Sequence, residues 1–255
     1  MVDEIKTAAR FDRRVANYAA YRPGYPAELI AFLRDELGLR AGAAVADVGS
    51  GTGILSGMLA GAGYRVFAVE PNDAMRVAAE AALGGDANFV SVNGAAEATT
   101  LEDACVDLVA AAQAFHWFDV GKARAEFRRV LKPGGRAVVV WNNRRLDATP
   151  FLRDYESLLR RFGTDYAQVA ATYGDEDSLR KFFASGYRSK RFDNFQLFDF
   201  EGLKGRLLSA SYVPLAGHPS HEPMLAELRR LFDAHHEGGR VRIEYDTDVY
   251  YGRLD

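Results

Sequence analysis

The sequence predicts an α/β fold of the doubly wound kind, a mostly parallel sheet with helices on both faces. Three observations carry the expectation. Residues 44–48 are small and apolar apart from Asp47, the composition of a strand covered on both sides. Gly49, Gly51 and Gly53 follow at once, and then Ile54, Leu55, Met58 and Leu59 fall at helical spacing. Strand and helix go on alternating without a break as far as Trp141, and right-handed crossovers turn that alternation into a parallel sheet.

Taken in order, the chain begins with an aromatic- and arginine-rich arm. Phe11, Tyr18, Tyr21 and Tyr25 stand among Arg13, Arg14 and Arg22, and two prolines and a glycine make 21–26 a fixed turn. A helix is expected from Phe11 to Tyr18, as a lid over a ligand or as an arm covering a sheet edge. Residues 27–40 read as an amphipathic helix with Gly38 as its C-cap. Residues 64–70 form a second buried strand ended by Pro71, and 74–82 the helix after it. Residues 88–93 make a third strand, and 108–113 a fourth that leads into Ala114-Phe-His-Trp-Phe-Asp119. Residues 120–131 are helical, with Arg124, Arg128 and Arg129 on a solvated face. A tight turn at 132–135 then leads to a fifth strand over 136–141.

Beyond Trp141 the period changes. Helices are expected at 151–162, 178–185, 201–209 and 222–236, with an aromatic strand over 188–200. The final stretch, 241–251, alternates apolar and polar residues as an antiparallel strand does. No linker cuts the chain, so a single domain is expected.

Composition narrows the function. No apolar run could span a bilayer, and the first residues lack the form of a signal peptide, so a cytoplasmic protein without membrane contact is expected. One cysteine, Cys105, excludes an intrachain disulfide and a cysteine metal cluster. His218, His221, His235 and His236 have no cysteine partner and a spacing unlike a metal site, so no metal is expected. A net charge of −3 offers no electrostatic footprint for nucleic acid. The expected partner is a small molecule, and the chain a monomer or homodimer.

The candidate site follows from the glycine turn. Strand, bare backbone and helix N-terminus make a cradle for a polar ligand. The dinucleotide fingerprint G-x-G-x-x-G fails in either register, because Ile54 or Ser56 stands at its third glycine. Glu70 lies about twenty residues past the turn, where α/β nucleotide sites put an acid on the ribose hydroxyls. Gln113, His116 and Trp117 come at the carboxyl end of the fourth strand, where ligands bind in open parallel sheets. Asn142, Asn143, Arg144 and Arg145 leave the fifth strand at the same end, and an arginine there suits a carboxylate.

These segments resemble the successive motifs of class I S-adenosyl-L-methionine (SAM)-dependent methyltransferases. The likeness rests on Asp47-Val-Gly-Ser-Gly-Thr-Gly53, Glu70-Pro-Asn72, Gly94-Ala-Ala-Glu97, Ala114-Phe-His-Trp-Phe118 and Leu131-Lys-Pro-Gly-Gly135. The N-terminal Tyr-Arg-Pro-Gly-Tyr-Pro and the Phe-His-Trp-Phe segment are similar to a small-molecule branch that includes trans-aconitate methyltransferase, which esterifies a carboxylate. The resemblance implies a Rossmann-like seven-stranded sheet, mostly parallel with an antiparallel last strand. It divides the single domain into N-terminal helices over 1–39, a SAM-binding core over 40–141, a substrate cover over 142–239 and a final strand over 240–255. It implies cofactor contacts at Asp47, Gly49, Ser50, Gly51, Gly53, Glu70 and Pro71, at Ala95, Ala96 and Glu97 beside the adenine, and at Gln113 and Trp117. Arg22 and Arg144 are candidate substrate anchors. His116 is the candidate base if the acceptor is a phenol or carbon; a carboxylate acceptor needs none. Three rivals stay open at this point: a SAM-binding protein without turnover, an NAD(P)-dependent reductase, against which the glycine spacing speaks, and a macromolecular methyltransferase, against which the fourth strand speaks by ending in Gln-Ala-Phe-His rather than the Asn-Pro-Pro-Tyr of amino-group methylases of DNA.

Overall fold

The computed structural model describes residues 15–166 and 176–254. Phe11, Arg13 and Arg14, and with them the expected start of the N-terminal helix, lie outside the described residues. The seven strands form one sheet in the order β3-β2-β1-β4-β5-β7-β6. They are β1 (Ala44–Val48), β2 (Arg65–Val69), β3 (Phe89–Val92), β4 (Val106–Ala112), β5 (Leu131–Arg144), β6 (Arg188–Phe198) and β7 (Val241–Gly252). The pairs β1–β2, β1–β4, β2–β3 and β4–β5 are parallel, and the last strand is antiparallel. The expected Rossmann-like sheet is thus the observed one. Strand order reverses between β1 and β4, so the glycine turn and the end of β4 stand at the switch point, the usual ligand crevice of such sheets.

The chain divides into two compact units. The glycine-loop unit comprises the described residues within 24–142, 174–192 and 247–255. Its helices are α2 (Ala27–Asp35), α3 (Ile54–Gly61), α4 (Asp73–Leu83), α5 (Val120–Val130) and α7 (Glu176–Phe182). Its core gathers Leu29, Phe32, Leu33, Val45, Leu59, Val66, Leu108, Val138 and Val140, the side chains that the apolar strand runs and helical spacing single out. The helix expected over 27–40 ends earlier, at Asp35; Gly38 does adopt φ +70°, but in the turn beyond the helix. Between β4 and β5 the register moves from Val106↔Leu131 to Leu108↔Arg136, and the extra residues of β5 are the Lys132-Pro-Gly-Gly135 segment.

The helical unit comprises the described residues within 1–23, 143–173 and 193–246. It contains α1 (Val15–Tyr21), α6 (Pro150–Phe162), α8 (Phe200–Leu208) and α9 (His221–His235). Leu152, Tyr155, Leu159, Leu203, Leu207, Met224, Leu228, Ile243 and Tyr245 pack into its own core. Gly205 on α8 makes room for Tyr21, since a Cβ there would stand well inside contact distance of the Tyr21 ring. No helix among the described residues is long and apolar enough to cross a membrane.

Candidate active site

The site is built on the turn after β1. Gly49 and Gly51 take φ +70° and +56°, a region that a side chain disfavours. They need that freedom for different reasons. A Cβ on Gly49 would stand 2.5 Å from that of Ala114, so the turn is packed tightly against the end of β4. A Cβ on Gly51 would meet nothing within 4 Å, so bare backbone there faces open space. The turn is tied to the next strand, because Gly49 N and Ser50 N donate to Val69 O at 2.8 and 3.1 Å.

Glu70 closes the turn from the other side. Its Oε2 accepts from Gly51 N at 2.9 Å and its Oε1 from Asn72 N at 2.8 Å. Burial raises its pKa, with the two backbone N–H groups opposing that rise. Each carboxylate oxygen keeps a second acceptor position for a ligand hydroxyl. Asn72 then caps α4, its Oδ1 accepting from Met75 N at 2.9 Å, and Pro71 between them is exposed.

Asp47 lies beneath the turn and is fully buried. Its Oδ2 accepts from Ser56 Oγ at 2.6 Å, and burial pushes its pKa to about 6. Among the described residues Asp47 Oδ1, Ser50 Oγ and Thr52 Oγ1 are buried without a hydrogen-bond partner. Three orphaned polar atoms around one turn are a cost that a polar ligand relieves.

Two further loops complete the rim. Ala95 and Ala98 exchange backbone hydrogen bonds of 3.1 Å, Ala96 is buried, and Glu97 Oε1 accepts from Asp119 N at 2.7 Å. This loop is fastened by Glu126 of α5, whose Oε1 accepts from Thr99 N at 2.7 Å and Thr99 Oγ1 at 2.6 Å. At the end of β4, Gln113 adopts φ +56°, a strained conformation for a residue with a side chain. Its N donates to Val140 O at 2.9 Å and its Nε2 to Asn142 O at 3.2 Å, which hold it there. A 3₁₀ turn, Phe115–Trp117, follows, with the His116 and Trp117 rings 4.7 Å apart and Trp117 46% exposed.

With this geometry in place, comparison with known proteins identifies the segment. Residues 46–139 match the family model of a methyltransferase domain. They resemble a class I methyltransferase domain. The chain is 42% identical over 134 residues to an uncharacterized methyltransferase of Mycobacterium tuberculosis, a match covering 52% of each chain. It is 35% identical over 160 residues to an uncharacterized methyltransferase-like protein of Schizosaccharomyces pombe, covering 61% of this chain and 59% of the relative. The chain thus spans about half the length of the curated relatives it matches. A provisionally assigned type II methyltransferase of Anaeromyxobacter dehalogenans superposes with a TM-score of 0.70 at 25% identity, covering 92% of this chain and 99% of that one.

The methyl donor of such a domain is SAM, and the residues present fit it. The turn offers open space at Gly51, a carboxylate at Glu70 and orphaned polar atoms at Asp47, Ser50 and Thr52, whereas a pyrophosphate would want fewer acids. Sequence reading did not assign Thr52, Thr99 or Glu126. Thr52 was legible as a hydroxyl between two glycines; Glu126 reaches its loop from 27 residues away, which no local pattern reveals. Arg124, expected on a solvated face, instead donates to Phe182 O at 3.0 Å and Leu254 O at 2.9 Å.

The two arginine candidates lie in the helical unit. Arg22 Nη2 donates to Ser209 O at 3.1 Å. Arg144 Nη2 donates to Glu156 Oε2 at 2.5 Å and to Tyr166 Oη at 3.0 Å. His235 Nε2 stands 2.7 Å from Asp154 Oδ2, and His221 Nδ1 3.0 Å from Pro214 O.

Proposed function

We propose that the chain transfers the methyl group of SAM to an oxygen of a small-molecule acceptor, with a carboxylate as the first choice. The observation that carries this reading is the pairing of Gly51 with Glu70: one residue leaves its backbone bare to open space while the other anchors its N–H. In this reading Gly49, Ser50, Gly51 and Gly53 hold the methionine portion, with Thr52 and Asp47 as added partners for its carboxylate and ammonium. Glu70 takes the ribose hydroxyls and Pro71 borders them. Ala95 and Ala96 flank the adenine, with Glu97 free to use its second oxygen. Gln113 and Trp117 border the methyl-bearing end.

SAM, when bound, supplies a methyl group already activated on a sulfonium. The chain therefore contributes positioning and exclusion of water. A carboxylate acceptor is ionised at neutral pH and needs no base, while Arg22 or Arg144 would anchor a further carboxylate of the same molecule. A second reading, a phenol or carbon acceptor with His116 as base, draws on the place of His116 in the turn that directly follows β4.

Transfer of isotope-labelled methyl from SAM to sets of small carboxylic acids and phenols tests the proposal, with ester and ether products separated by alkaline lability. Ester formation that survives His116→Gln with most of its kcat supports the first reading. A loss of about 10²-fold or more in kcat supports the second. Binding of SAM with no labelled product from either set contradicts both.

A further inference from the structure

Arg206, on α8 of the helical unit, is only 7% exposed, yet it has no carboxylate partner among the described residues. Its Nε donates to Tyr245 Oη at 3.2 Å and its Nη1 reaches Ser209 Oγ at 3.5 Å. Among the described residues Nη2 makes no hydrogen bond. Tyr245 Oη is itself committed, donating to Gln196 Oε1 at 2.9 Å, and Gln196 Nε2 donates to Tyr21 O at 3.2 Å. That relay fixes the guanidinium without neutralising it.

Arg144 stands in the same neighbourhood. Its guanidinium lies 5.2 Å from the Tyr155 ring centroid, and Tyr155 shares one core cluster with Tyr245, the partner of Arg206, with Tyr212 packed against it. Glu156 balances Arg144 and also accepts from Arg160 Nε at 2.7 Å, but it makes no ion pair with Arg206. Arg144 Nη1 is buried without a partner among the described residues. Among the described residues the hydroxyls of Tyr155 and Tyr212 are unpaired as well. A buried nitrogen of Arg144 and a second buried guanidinium, that of Arg206, thus stand among tyrosines, the nitrogen without an acceptor and the guanidinium without a carboxylate among the described residues. A buried charge without a counter-ion is strongly disfavoured, so the arrangement is explained by a ligand that supplies one.

We infer that Arg206, with Arg144, Tyr155 and Tyr212, forms a binding site for a carboxylate of a small organic acid. A carboxylate offers two coplanar oxygens to guanidinium forks and accepts from phenols, which suits this donor set and its aromatic walls. The inference deepens the proposed function, and it rests on that reading only in calling this acid the methyl acceptor.

The test uses the full chain and three variants: Arg206→Met, Tyr155→Phe and Tyr212→Phe. Succinate, fumarate and inorganic phosphate are titrated by calorimetry and by thermal shift, and SAM is titrated in parallel. Saturable binding of a dicarboxylate that weakens about tenfold or more in Arg206→Met and several-fold in either phenylalanine variant supports the site. A ligand-free Tm of Arg206→Met at or above that of the wild type supports it too, since removal of an uncompensated charge then costs the fold nothing. If Arg206→Met does not fold, the two phenylalanine variants decide. Equal dicarboxylate affinity in all four proteins, absence of dicarboxylate binding, or binding of phosphate alone overturns it. Dicarboxylate binding without SAM binding contradicts the proposed function and leaves this site standing; SAM binding without dicarboxylate binding does the reverse.

Discussion

Around the glycine turn the buried polar atoms without partners among the described residues are a carboxylate oxygen and two hydroxyls, at Asp47, Ser50 and Thr52, set around bare backbone. In the arginine cluster of the helical unit such an atom is a donor, Arg144 Nη1, and the buried Arg206 has no carboxylate partner among the described residues. The first set complements a ligand that brings its own ammonium and hydroxyls. The second complements an anion. The two units also differ in how they are held. The glycine turn is fixed by backbone hydrogen bonds to β2 and by close approach to Ala114, whereas the arginine cluster is fixed by side chains relayed through Tyr245 and Gln196. Backbone-held sites tolerate few substitutions, while side-chain-held sites can change their ligand with one residue.

The contrast is sharpest at the glycines. Gly49→Ala forces a Cβ against Ala114 and strains a positive φ, and it is expected to cost about 3 kcal/mol, read as a lowered urea midpoint. Gly51→Ala meets no neighbour and is expected to cost only about 1 kcal/mol, yet to lose SAM binding. Equal destabilisation by the two would break the division between a packed and a ligand-facing glycine.

Next in size is the pH response of Asp47. Its pKa in the fold, about 6, lies above its ordinary value of 3.8, so the folded state binds the proton more tightly than the unfolded state. The penalty for burying the charge is present in full above pH 6 and fades as the pH falls toward 4. The wild type is therefore expected to gain up to about 3 kcal/mol relative to Asp47→Asn between pH 7 and pH 4, measured by urea unfolding of both proteins across that range. Parallel pH profiles would remove the buried charge from the description of the turn.

Smallest is Gly205→Ala in the helical unit. Alanine favours a helix by about 1 kcal/mol, but here its methyl group displaces the Tyr21 ring. A net loss of about 1–2 kcal/mol is expected, read as a lowered Tm, with SAM affinity of the glycine-loop unit unchanged.

Much of the glycine-loop unit was legible in the sequence, because its signals are local: an apolar strand, three glycines, and an acid ending the next strand. The same locality explains the misreadings. Gly38 looks like a helix cap, but the helix ends at Asp35 and the glycine serves the following turn. Arg124 looks solvated from its helix face, and only folding brings Phe182 O and Leu254 O to it. The left-handed conformation of Gln113 leaves no mark in its residue type. The helical unit was least legible, since Arg206 acquires its meaning from Tyr155 and Tyr245, which lie far from it in sequence.

The most direct measurement is the calorimetric titration of SAM into the wild type and into Glu70→Ala. Saturable binding by the wild type, with a Kd raised about tenfold or more in the variant and an unchanged fold by circular dichroism, is the expected result. Equal SAM affinity in the two proteins, or heat from NADH in place of SAM, would contradict the assignment of the glycine turn and Glu70 as the cofactor's seat.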